Sequence, residues 1–417
     1  MTDSREKRVQ LKVVSPQRPA QLGSAPVSAV LLSEPMRRFR CNQKGCCCSG
    51  WGIPFRLEDF LRLHEHLPDA ERAELTQGIQ LVVDAKEKGV NGETILHSLK
   101  LDGVGEVEAC RFLEKAGTCR VHAQSGLAAL PDLCVDFPAF GFHRTDGAVE
   151  LWFEPVCPEV LERIDESDAP LTLHRQKGAF EDPMHELRVA HSSDKILGRI
   201  GAQKIAGTSL DALRDETLSQ LARTDRPPWH SLAVLLDGYS RLLPDASGAC
   251  ALELNHSIDP APFLRFFWAC IGAHGSELLA ASFVKYERFI YAIDPKPLIA
   301  QRDLLETHLM NWQPAFEQWL APQDDALSAL SARYLSHRFA TPMVKGRAEL
   351  RCAADEIVQI FAIAQRYAAA MGATLQAPVD RRTFLVALGA AEFFIRSMQL
   401  PREALPWFAS REPDVSW

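Results

Sequence analysis

The chain has 417 residues, 47% of them hydrophobic and 24% charged, and a formal net charge of −8. That balance excludes a chain too polar to fold, and it gives no global cationic footprint for nucleic acid. No stretch reaches the ~20 apolar residues of a membrane span, and the charged start MTDSREKRVQLKVV is unlike a secretory signal, so the expected setting is a reducing cytoplasm.

Residues 1–30 read as an irregular tail, because Pro16, Pro19 and Pro26 break any helix. The first 40 residues hold eight Lys/Arg against three Asp/Glu, which fits a solvated basic tail. Met36–Arg40 lead into the first cysteines. Leu57, Phe60, Leu61, His64 and Leu67 recur at helical spacing, so an amphipathic helix is predicted over 53–67, ended by Pro68. Residues 70–105 are mixed and polar and read as a helix with a connecting loop. Residues 110–122 read as a hairpin of two short segments, CRFL and CRVH, around Gly117. Residues 127–134 read as a short helical turn or loop. A second hairpin is predicted over 140–156, turning at Thr145-Asp146-Gly147, where VELWFEPV alternates apolar and polar residues.

Beyond residue 182 helical periodicity takes over, across 183–205, 209–222, 229–243, 261–291, 296–320, 324–338, 347–371 and 380–398. Breaks at Pro227-Pro228, Pro260, Pro295 and Pro378 separate several of these stretches. The expected fold class is α+β: a loop-rich domain with short hairpins over 31–165, then a mainly α-helical domain over 175–417.

Eleven cysteines are present, and eight of them fall between Cys41 and Cys157. The first group is Cys41, Cys46, Cys47 and Cys48, flanked by Gly45 and Gly50. The second is Cys110, Cys119 and Cys134. Cys157 closes the set in Glu154-Pro155-Val156-Cys157-Pro158-Glu159. A disulfide framework belongs to small secreted domains, and a chain this long buries a core without staples. Thiolates are the soft ligands of zinc and iron–sulfur clusters, so all eight are candidate metal ligands, for zinc or iron. Neighbouring side chains diverge, so one or two of the 46–48 triplet are expected on any one centre. By count, eight thiols fit two four-cysteine centres, or one centre and a reactive pair.

Arg37, Arg38, Arg40, Lys44, Arg111 and Arg120 lie beside these cysteines. They either favour thiolate charge or form a solvated face. His122, three positions after Cys119, has a chelating spacing, with a plain hairpin histidine as the alternative. Cys250, Cys270 and Cys352 read as core thiols in helical stretches. Glu154 and Glu159 read as surface carboxylates, and Trp51 and Trp152 as core aromatics. No catalytic or cofactor-binding residue is assigned. No glycine-rich strand–turn–helix for a nucleotide is present, and the gaps in Cys41–Cys48 do not match a compact three-cysteine radical loop.

The pattern Phe39-x-Cys41, the triplet, and Gly50-Trp51 before an apolar helix resembles the YkgJ-type cysteine-cluster family, described as zinc- or iron-chelating. Cys110-x-Phe112-Leu113, Gly117-Thr118-Cys119-x-Val121, Leu130, Cys134 and Phe137-Pro138 continue the resemblance, which covers about residues 36–165. Within that family the chain is most similar to flagellin lysine N-methylases of the FliB type, which share Gly-Trp, the closing Cys157-Pro158-Glu159 and a helical C-terminal region. The segment Ala332–Phe339 resembles part of that region. Val135-Asp136 and Ala139 stand where arginines are common in the family, so any contact of those arginines with an anionic cofactor or cluster is lost or rebuilt here. The resemblance implies a metal- or cluster-dependent protein-lysine methyltransferase, with S-adenosylmethionine as donor and a flagellin-like protein as substrate. The residues alone leave two alternatives open: a non-catalytic structural zinc or iron protein, and a thiol-based metal-handling or redox-sensing protein.

Overall fold

A computed structural model describes residues 30–39, 53–88, 94–104, 109–166, 173–176, 199–285, 301–340 and 350–398, short gaps within these spans aside. Cys41, Cys46, Cys47 and Cys48, the 1–29 tail and the predicted helix across 183–198 lie outside the described residues.

Strand β1 (Val30–Ser33) runs into the one-turn helix α1 (Glu34–Arg37), with Pro35 in its first turn. Strand β2 (Ile53–Phe55) precedes helix α2 (Leu57–His66), so the expected helix begins later than its sequence pattern. Helix α3 (Asp69–Gln77) follows Pro68. The next stretch, read from sequence as a loop, is an antiparallel pair, β3 (Ile79–Lys88) and β4 (Thr94–Leu101). Ile79 faces Leu101 and Leu81 faces Leu99, and the register shifts after Val82. That irregularity breaks the period-two pattern that would have marked a strand. With β2 on β4, the sheet order is β2-β4-β3.

Short strands β5 (Gly103–Val104) and β6 (Ala109–Cys110) pair, and helix α4 (Arg120–Ser125) follows. The second half of the first predicted hairpin is therefore a helical turn. Hairpin pairing is kept by the Leu113–Cys119 bridge, by the Phe112 carbonyl, which accepts from the Arg120 N–H, and by the Thr118 carbonyl, which accepts from the Glu114 N–H.

The second predicted hairpin is present as β7 (Ala139–His143) and β8 (Val149–Phe153), with Ala139 opposite Phe153. Helix α5 (Pro158–Asp165) and strand β9 (Leu173–Gln176) complete a four-stranded sheet of order β7-β8-β1-β9. Every residue of β8 is buried, including Glu150, so its alternation does not mark a solvent face. Arg214 explains this: its guanidinium donates to Glu150 at 2.6 Å, while Trp152 Nε1 donates to the other carboxylate oxygen at 3.0 Å.

Where a helix was expected to end, β10 (Arg199–Ile200) and β11 (Gln203–Lys204) form a small antiparallel pair. Helices α6 (Gly207–Leu221) and α7 (Pro228–Arg241) match their predicted spans closely. The predicted 261–291 helix is two helices, α8 (Ala261–Gly272) and α9 (Ser276–Lys285). Helix α10 (Arg302–Met310) leads through Trp312–Ala315 into a π-helical turn at Phe316–Leu320. Helices α11 (Asp324–Ala340), α12 (Leu350–Leu375) and α13 (Arg381–Met398) finish the described chain. The class is α+β and mainly helical. Among the described residues no helix is long and apolar enough to cross a membrane.

Two cores matter for the site. The larger runs from Leu32, Met36 and Phe39 through β8 and α5 (Val160, Leu161, Ile164) into α7, α11, α12 and α13. Helix α12 is buried almost all round, as its Ala- and Ile-rich sequence dictates. The smaller core gathers Leu63, Leu67, Leu75, Phe112, Val121, Ala129 and Leu130 around Cys110.

Helix α11 ties the β8–α5 corner to the helices. Arg333 Nε donates to the Ile164 carbonyl at 2.9 Å, and His337 Nε2 bonds to the Phe153 carbonyl. Both lie in the Ala332–Phe339 segment singled out from sequence.

Candidate functional site

The four described candidate ligands arrive from turns and element ends rather than from element interiors. Cys110 ends β6, opposite Gly103, and is buried in the smaller core. Cys119 bridges to Leu113 and is the residue before α4. Between them, Gly117 has φ +88°, a conformation that L side chains rarely adopt, and so it turns the chain back. Cys134 closes a turn, its N–H donating to the Pro131 carbonyl at 2.9 Å. Cys119 and Cys134 are half-buried and pack on the smaller core beside Cys110. Three thiols spread over 25 residues of sequence thus rest on one small core.

Cys157 sits on the neighbouring, larger core, as the N-cap of α5. Its N–H donates to the Glu154 carbonyl at 3.0 Å, and the Glu154 N–H donates to the Pro138 carbonyl at 2.8 Å. Phe137 and Ala139, just after Cys134, pack on that same larger core. The segment 134–139 therefore links the two thiol locations. Among the described residues no three His, Cys, Asp or Glu side chains converge tightly enough to hold a metal ion.

Arg120, Arg111 and Arg37, read from sequence as either thiolate support or a solvated face, each have an acidic or carbonyl partner. Arg120 pairs with Glu74 at 2.9 Å and Glu71 at 3.3 Å, and its guanidinium lies 5.6 Å from the Phe112 ring centre. Arg111 donates to the Glu74 carbonyl at 2.8 Å. Both fasten α3 to the Cys110–Cys119 loop, so their role is to shape the loop that carries the thiols. Arg37 pairs with Glu34 at 2.8 Å.

Glu154 and Glu159 are buried, not surface carboxylates. Arg163 donates to Glu159 at 2.6 Å, one turn along α5, which holds the start of that helix rigid. Trp152 is a core aromatic, as expected. His122 lies on α4, half-buried.

The outlying thiols differ in kind. Cys270 is sealed in the larger core, where burial, and secondly the Asp355 carboxylate, push its thiol up to about 12. Such a thiol is inert toward metals at neutral pH. Cys250 is in a loop rather than a helix, half-buried, and burial also raises its thiol. The side chain of Cys352 lies outside the described residues. Cys119, Cys134 and Cys157 thus occupy a different environment from Cys270, being partly open, while Cys110 is buried beside the first two in the smaller core. All four are of the soft donor type that zinc and iron–sulfur centres take.

No family model matches the chain, and no curated protein or solved structure matches it.

Proposed function

We propose that this protein holds zinc or iron, the latter as an iron–sulfur cluster, through thiolates of both cysteine groups: Cys110, Cys119, Cys134 and Cys157 with members of Cys41, Cys46, Cys47 and Cys48. The observation that carries the proposal is the gathering of Cys110, Cys119 and Cys134 on one small core by three separate turns. A core of that size gains stability from a bound metal, because the ligand loops are then fixed by coordination as well as by packing. The resemblance to flagellin lysine N-methylases extends the proposal to a cytoplasmic protein-lysine methyltransferase that uses S-adenosylmethionine. In that extension the cysteines would hold the iron, which would supply a binding point for the donor.

The test is purification without oxygen, followed by metal and sulfide analysis and a visible spectrum. A brown protein with iron and sulfide supports the cluster and its catalytic extension. A colourless protein with stoichiometric zinc supports a structural centre. Cys119→Ala is expected to lose metal, and Cys270→Ala to keep it. Full metal content in Cys119→Ala, or a metal-free wild type with readily oxidised thiols, overturns the assignment, and the second result points to a thiol sensor.

A further inference from the structure

A second site lies in the helical half, away from the cysteines. A cleft of about 260 Å³ opens between α7, α8, the π-helical turn, α11, α12 and α13. For scale, an engineered cavity of ~150 Å³ lined by apolar side chains binds benzene. This cleft has room for a bicyclic ring.

Its walls are aromatic and held in place. Trp268 stands at 80° to Phe316 with ring centres 4.9 Å apart, and it stacks on Trp312 at 5.6 Å and 16°. Trp268 is nonetheless 40% exposed. Phe361, edge-on to Phe384 at 6.3 Å, lies deeper. Rings fixed by other rings lose little entropy when a ligand stacks on them.

Two polar side chains also line the cleft. Gln365 on α12 is 8% exposed and Ser331 on α11 is 5% exposed. Among the described residues neither side chain makes a hydrogen bond. A buried amide normally finds a partner, and one aimed into a cavity points to a ligand that supplies it. A carboxamide offers a donor and an acceptor side by side, which match a planar ring carrying an N–H next to a C=O. Asp325 lies at the mouth and favours a donor or cationic substituent there.

We infer that this cleft binds a planar bicyclic heteroaromatic molecule with a lactam-type edge, stacked against Trp268 and paired with Gln365. The inference is independent of any metal. The test is isothermal titration of the full chain with quinazolinone and with naphthalene, which share a size but not the polar edge. Quinazolinone is expected to bind on the order of ten-fold more tightly. Gln365→Met should erase that preference while leaving naphthalene binding in place. Trp268→Ala, at an exposed position that leaves the core intact, should weaken both. Absence of binding by either probe at millimolar concentration, equal affinity for the two, or a preference that survives Gln365→Met overturns the inference.

Discussion

His337 is fully buried, and its surroundings favour the neutral ring. Its Nε2 bonds to the Phe153 carbonyl, and the Trp152 ring meets it edge-on at 5.5 Å. Burial holds its pKa down to about 4 from the usual 6.5, against the opposing pull of the Phe153 carbonyl and with help from the Arg338 charge. The sign follows directly. Below pH 6.5 the unfolded chain takes up a proton that the native chain refuses until about pH 4. The stability is therefore complete above the unfolded pKa and is lost as pH falls through this window, by about 3 kcal/mol. Urea midpoints measured across that window should fall more steeply for the wild type than for His337→Gln, whose amide still donates to Phe153. His230 and His274, both lowered chiefly by burial, act in the same direction, so the variant keeps part of the slope. Parallel slopes would falsify the assignment to His337.

At the scale of elements, Arg366 on α12 does the work of a cap for two other helices. Its guanidinium donates to the Ile271 carbonyl at 3.2 Å and the His274 carbonyl at 2.6 Å, where α8 ends, and to the Leu309 carbonyl at 2.8 Å, near the end of α10. It also donates to Ser276 Oγ at 2.8 Å, at the start of α9. Helix C-termini leave carbonyls without donors and carry the negative end of the dipole, so a buried cation satisfies both needs. Arg366→Met is expected to lower unfolding stability by more than about 3 kcal/mol, and Arg366→Lys to restore less than half, because an ammonium cannot fork toward several carbonyls. Denaturant titration checks both, and a loss below about 1 kcal/mol for the methionine variant contradicts the capping role. The same residue shows where sequence reading ends. The apolar period across 261–291 continues past the break at Gly272 and Gly275, and the cation that receives the freed carbonyls lies far along the chain. Helices α6, α7, α11 and α13 were legible because one chain segment carries all their signals. The β3–β4 pairing was not, because its register shifts break the period-two pattern that would have marked two strands. The burial of Glu150 was not legible either, because Arg214, its partner, is 64 positions away.

At the scale of the whole molecule, the spacing of the cysteines marked them as a site but could not show how they divide. In the fold, Cys110, Cys119 and Cys134 rest on the smaller core and Cys157 on the larger. The two differ greatly in capacity. Among the described residues the smaller core has eight buried side chains, whereas the larger runs through the sheet and most of the helices. If thiolates of both groups share a metal, coordination supplies what the smaller core lacks, and its removal should act locally. Hydrogen exchange on metal-loaded and chelator-treated protein reads this directly. Peptides from α2, α3 and α4 should lose protection when the metal is removed, while peptides from α12 and α13 keep theirs. The Arg111 and Arg120 contacts to α3 predict that α3 loosens together with the Cys110–Cys119 loop. Loss of protection in all peptides together would mean that the two cores form one cooperative unit. Unchanged protection throughout would mean that no metal supports the smaller core, and the cysteine proposal would fall with it.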